Sequence, residues 1–334
     1  MSKYRDRLPQ LSGRLFLADG GLETTLMFHE GVDLPYFAAF DLLKDATGTA
    51  ILHRYFARYA EIARNRGLGV VLESPTWRAN PDWAAKLGYD AASLAEVNRR
   101  GIALLAAVRD EFETTRTPIV LSGNLGPRGD GYRVESRMTA RQARDYHAPQ
   151  VDNLAKCGAD MIAGFTMNYA EEAIGIANAA RETGIPAAIA FTVETDGRLP
   201  SGQTLAEAIE QTDTDSAGHP AYYMINCAHP THLESAVREP GAWRGRLRGL
   251  RANSSKRSHA ELDASPDIDI GDPGELGREY RALRETMPHL TVLGGCCGTD
   301  HRHIEAICAA CHAAEPPATT APHPALEPPL GHRS

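Results

Sequence analysis

The 334-residue sequence predicts an α/β chain closed into a single-domain (β/α)8 TIM barrel. Three observations carry that expectation. Eight short apolar runs recur along the chain, amphipathic stretches separate them, and polar or chemically unusual residues close most of the runs at their C-terminal ends. Continuous apolar strands that alternate with helices imply a parallel sheet covered on its outer face. The competing architecture is an open doubly wound sheet. It loses support because no Gly-x-Gly-x-x-Gly follows the first strand; Gly67-Leu68-Gly69 precedes its strand instead.

In chain order, the first predicted strand is 14–18, ending at Asp19-Gly20-Gly21, and the second is 68–72, ending at Glu73-Ser74-Pro75. The third, 118–121, runs into Ser122-Gly123-Asn124, and the fourth, 160–163, into Gly164-Phe165-Thr166. Strand five is 186–191, and strand six, 222–225, stops at Asn226-Cys227. Strand seven, 247–251, leads to Ala252-Asn253, and strand eight, 290–293, to Gly294-Gly295-Cys296-Cys297-Gly298-Thr299. Helices are expected at 46–66, 91–113, 139–156, 170–183, 203–212, 231–238, 273–286 and 300–313. The barrel is expected to occupy 1–312. Residues 313–334, rich in Pro and Ala without apolar periodicity, are expected to form a disordered tail.

Composition narrows the function. With 43% hydrophobic and 23% charged residues the chain can bury a large core, and a formal charge of -8 without a Lys/Arg tract argues against nucleic acid as partner. No apolar run approaches a membrane span and the polar N-terminus does not read as a signal peptide, so the expected location is the cytoplasm. In a reducing compartment the six cysteines need not pair, and clustered ones are better suited to metal binding or catalysis.

Barrel topology brings strand C-termini to one mouth, so Cys227 and Cys296-Cys297 are expected within reach of one ion despite their separation in sequence. Zinc accepts thiolates, and a catalytic zinc takes three protein ligands and keeps a fourth position open. The flanking glycines permit a turn between the vicinal cysteines. The competing reading is three buried, unreactive cysteines. Cys308-Ala309-Ala310-Cys311-His312 has the pattern of covalent haem attachment, but it is read as a helix with small buried residues; His301 and His303 are read as solvated helix-start residues.

Together, Asp19-Gly20-Gly21, Asn226-Cys227, Ala252-Asn253-Ser254 and Gly294 to Thr299 resemble the homocysteine S-methyltransferase family, over roughly residues 14–312. That family holds the zinc-dependent betaine-homocysteine and S-methylmethionine-homocysteine enzymes. The resemblance implies one Zn2+ on Cys227, Cys296 and Cys297. It also implies a small-molecule thiol acceptor, most simply homocysteine giving methionine, and a sulfonium or betaine-type donor such as S-methylmethionine. Substrate contacts are expected from Asp19, Gly20, Glu73, Thr76, Trp77 and Asn226, with Tyr36 and Phe37 as further aromatic candidates for the cationic donor.

Two departures qualify the acceptor. Family members that bind homocysteine carry a glutamate at the end of strand four, where this chain has Phe165, and Arg78 brings a positive charge to the loop after strand two. A different thiol acceptor is therefore an alternative, as is a non-catalytic zinc-thiolate protein that senses thiols. Oligomeric state is left open.

Overall fold

A computed structural model describes residues 2–134 and 137–312; the tail predicted at 313–334 lies outside the described residues. All eight expected strands form: β1 Phe16–Ala18, β2 Gly69–Glu73, β3 Ile119–Leu125, β4 Met161–Met167, β5 Ala187–Phe191, β6 Pro220–Asn226, β7 Leu247–Ala252 and β8 Val292–Gly295. Each pairs in parallel with its sequence neighbours, and β8 closes on β1 through Phe16 opposite Val292 and Leu17 opposite Leu293. Closure leaves the sheet without edges.

The covering helices are α1 Ala46–Arg66, α2 Ala91–Phe112, α3 Ala140–Lys156, α4 Ala170–Thr183, α5 Leu205–Asp215, α6 Pro230–Leu233, α7 Pro273–Thr286 and α8 His301–His312. Two differ from expectation. The fifth starts later because Thr204 and Glu207 form a capping box that fixes its N-terminus. The sixth, expected at 231–238, is one short helix that ends at Leu233 and gives way to a 3-10 turn at Ala236–Arg238. Cys308 and Cys311 lie on the buried face of α8.

Alternation along the strands makes two concentric cores. Phe16, Val71, Val120, Met161, Tyr222 and Val292 fill the interior of the ring, while Leu17, Val70, Leu72, Ile162 and Leu293 pack outward against the helices. The N-terminal segment closes the bottom of the barrel, with Leu8 and Tyr4 against the inner core. Buried Asp160 ties it down, accepting from the Lys3 and Tyr4 amides (2.6 and 2.8 Å), the Leu121 amide (2.9 Å) and Arg109 Nη1 (3.0 Å). Replacing Asp160 by Ala strands the buried Arg109 guanidinium. Chemical denaturation is expected to report a loss of about 3–5 kcal/mol; a loss below about 1 kcal/mol would contradict this view of the plug.

Candidate metal centre and substrate cavity

The strand ends meet as the barrel requires. Cys227 follows β6 and Cys296-Cys297 follow β8, and their three sulfurs lie within 4.8 Å of one another. Cys227 Sγ is 3.8 Å from Cys297 Sγ, while Cys296 is joined to Cys227 by a disulfide, so the set offers three ligands in its reduced form. Four-coordinate zinc with Zn–S near 2.3 Å separates its sulfurs by about 3.8 Å. The donor set therefore fits zinc in number, softness and the one open spacing. Burial pushes the Cys297 thiol up to about 11, as expected of a thiol with no cation beside it.

The local backbone is built around these cysteines. Cys227 adopts φ +54° and Thr166, on β4, φ +61°, both in the left-handed region that side chains rarely enter. Asn226 braces Thr166: its Oδ1 accepts from the Thr166 amide (2.8 Å) and its Nδ2 donates to Thr166 Oγ1 (2.9 Å). The Cys227 carbonyl accepts from Asn253 Nδ2 (3.1 Å) and His259 Nε2 (2.5 Å). In the last loop Gly298 has φ +79°, and a Cβ on Gly295 would fall 2.0 Å from Thr299 Oγ1. Thr299 accepts from the Gly21 amide through its carbonyl (3.0 Å), which locks the Asp-Gly-Gly loop to the cysteine loop.

A cavity of about 400 Å³ opens onto the sulfurs. Of the residues expected at substrate, Asp19, Gly20, Glu73, Trp77 and Asn226 line it, whereas Thr76 is fully buried behind the wall and hydrogen-bonds the Asn124 carbonyl (2.7 Å). Phe37 lines the cavity; Tyr36 lies outside its lining and packs near Trp83 instead. Seven carboxylates share the wall: Asp19, Glu23, Glu73, Asp130, Asp263, Asp267 and Asp269. Phe28 and Phe37 are exposed aromatics in the same lining.

Three groups were not anticipated. Arg251, buried on β7, pairs with Asp19 Oδ1 at 2.6 Å, donates to the Gly20 and Gly295 carbonyls (both 3.0 Å), and its guanidinium stands 5.2 Å from the Phe165 ring centre. Tyr132 Oη is 3.3 Å from Cys227 Sγ, and its ring lies 4.2 Å from that of His259. His259 is held in turn by Glu194 (3.1 Å). An arginine in an apolar strand was the one visible signal for the first; the helix start Ser258-His259-Ala260-Glu261, a capping box, marked the last.

The parallel barrel, with three cysteines and an acidic cavity at its mouth, places the chain in the (β/α)8 class. The chain belongs to the homocysteine S-methyltransferase family, whose model matches residues 16–311, and it is a methyltransferase. It is 24% identical over 327 residues to homocysteine S-methyltransferase 4 of Zea mays, covering 91% of each protein. It is also 24% identical over 329 residues to methionine synthase of Mycobacterium leprae, covering 91% of this chain and 25% of that one, so it spans about a quarter of that relative. The metallated form of the homocysteine methyltransferase MmuM from Escherichia coli superposes with a TM-score of 0.63 at 19% identity, over 88% of this chain and 96% of that one. That likeness establishes the fold.

Burial raises the Glu73 carboxyl to about 7, against the pull of Arg251. Because the folded pKa lies above the unfolded one, Glu73 lowers stability as pH rises from about 4.5 to about 7, where the native state holds the extra proton. Glu73→Gln removes that dependence. Its stability relative to wild type is expected to grow by 1 kcal/mol or more, on the order set by such shifts, between pH 5 and pH 8; thermal unfolding at both values measures it, and an unchanged difference would contradict the assignment.

Proposed function

We propose that this enzyme moves a methyl group from a cationic onium donor, S-methylmethionine foremost, to the sulfur of homocysteine, giving methionine, with one zinc ion held by Cys227, Cys296 and Cys297. The observation that carries the reading is the meeting of three cysteine sulfurs within 4.8 Å on a cavity whose wall is acidic and aromatic. Zinc bound there supplies the Lewis acidity that keeps an acceptor thiol deprotonated near neutral pH. A reducing compartment such as the cytoplasm suits a ligand set needed in its thiol form, and no described helix is long and apolar enough to cross a membrane.

The remaining work falls to the chain. Acidic side chains of the wall outside the Asp19–Arg251 pair draw a cation into the mouth, and Phe28, Phe37 and the face of Trp77 that Arg78 leaves open offer π faces to it. The acceptor sulfur attacks the methyl carbon in line; the new S–CH3 bond forms as the old bond breaks, its electron pair returning to the donor heteroatom. No proton moves in that step, so no general base is required of the wall. Asn253 and His259 hold Cys227 through its carbonyl, Asn226 braces Thr166 beside it, and Asp19 with Gly20 anchors the loop that faces the cysteine loop.

A second reading keeps the chemistry and changes the acceptor. Phe165 lines the cavity where the family resemblance implies a glutamate for the substrate ammonium, and Asp19 is already engaged by Arg251. Glu73, with one oxygen lacking a hydrogen-bond partner, and Glu23, which also lines the cavity, are carboxylates that could take that task.

Reduced protein is expected to bind one zinc per chain, and Cys297→Ala to lose it together with more than about 100-fold in methyl transfer. Metal analysis, with product identification from S-methylmethionine and a panel of thiols, checks both. Product from another thiol but none from homocysteine would select the second reading. Full activity in zinc-free protein would contradict both.

A further inference from the structure

Three arginines of the described chain are buried to about nine-tenths: Arg78, Arg109 and Arg251, at 8%, 9% and 7% exposure. Two are compensated. Arg109 pairs with Asp160 at 3.0 Å and Arg251 with Asp19 at 2.6 Å. Arg78 has no carboxylate at ion-pair distance among the described residues, although it lines the cavity. Asp130 and Glu23 act on it only at longer range. A buried guanidinium without a direct ion pair is costly, and a chain that retains one at a substrate cavity has a use for it.

The surroundings of Arg78 direct that use. Its guanidinium stands 4.1 Å from the Trp77 ring centre and 3.8 Å from that of Trp83, which holds the group on two indole faces. Nη1 is spent on the Gly129 carbonyl at 3.1 Å. Nε is buried with no partner, and so is the indole N–H of Trp77, the adjacent cavity residue. Stacking leaves the in-plane edge of a guanidinium as its binding face, and that edge matches a carboxylate in bidentate fashion. Lys86, 3.8 Å from the Trp83 ring centre, adds a second positive charge behind the first. Burial holds Arg78 down to about 10, against the longer-range pull of Asp130 and Glu23.

We propose that Arg78 is the receptor for a substrate carboxylate, its Nε edge binding the carboxylate end of a zwitterion whose sulfur or onium end faces the cysteines. A single carboxylate fits better than a phosphate, because the acidic side chains of the same wall that Arg251 does not neutralise oppose a multiply charged anion and favour a ligand that also carries a positive group. The identity of the substrates rests on the proposed methyl transfer; the carboxylate site rests on the geometry of Arg78. Homocysteine and S-methylmethionine both carry such a group, and the experiment separates them.

Binding is measured by tryptophan fluorescence on the full-length, zinc-loaded protein, two of whose three tryptophans flank Arg78. The acceptor pair is homocysteine and 3-aminopropanethiol; the donor pair is S-methylmethionine and (3-aminopropyl)dimethylsulfonium. Within each pair the second compound is the first without its carboxylate. Wild type is expected to prefer the carboxylate-bearing member of at least one pair by roughly 10- to 100-fold. In Arg78→Met that preference falls below about threefold, while binding of the decarboxylated member stays constant. The pair whose preference collapses names the substrate.

Arg78→Lys keeps a cation between the indoles and serves where the methionine variant does not fold. Loss of at least about fivefold of the preference supports the proposal and an intact preference overturns it. Equal binding within both pairs, or no binding of any probe by wild type, also overturns it. Arg78-dependent preference without any methylated product would leave the site standing and remove the methyl-transfer reading; methyl transfer without that preference would do the reverse.

Discussion

The amides of Cys227 and Cys296 donate to consecutive carbonyls of one strand, Arg251 at 3.1 Å and Ala252 at 2.7 Å. Two cysteines 69 positions apart are thereby set side by side by the end of β7, without either contributing to the other's local structure. A parallel barrel makes such convergence a property of its hydrogen-bond ladder, and the ends of β6 and β8 have no freedom to separate while β7 lies between them. The third sulfur follows from sequence adjacency and from glycines that let the last loop turn tightly against Thr299 and Thr24.

Arg251 extends the same constraint to charge. Its side chain bridges the ends of β1 and β8 through the Gly20 and Gly295 carbonyls, and its ion pair with Asp19 is buried at the cavity wall. A glutamate at position 165 would stand beside this guanidinium; the phenylalanine that occupies it presents a ring face instead. The polarity of the cavity thus divides between an internally neutralised pair at Asp19 and Arg251, and groups with spare capacity at Glu73 and Arg78. In a low-dielectric wall those uncompensated groups set which substrates are admitted.

Much of the fold was legible because buried parallel strands are written as uninterrupted apolar runs, as at Leu68 to Leu72, and because helices such as Ala46–Arg66 carry a clear apolar face. The sixth helix was overextended, since an apolar period does not separate one continuous helix from a short helix followed by a 3-10 turn. At the site, the three cysteines could be joined from strand ends alone. The Arg251–Asp19 pair could not: it links residues far apart in sequence, and each in isolation reads as a lone charge at a strand end. Tyr132 comes from a loop and His259 from the start of a five-residue helix within the connection after β7, whose paths no periodicity predicts, and Thr76 shows that proximity to a strand end does not settle which way a side chain points.

X-ray absorption at the zinc edge of the reduced, zinc-loaded protein, recorded before and after addition of the acceptor thiol, tests the central claim most directly. A shell of three sulfurs that becomes four on addition is the expected result. A sulfur count that does not rise, or a resting site with fewer than three sulfurs, would contradict thiol activation at Cys227, Cys296 and Cys297.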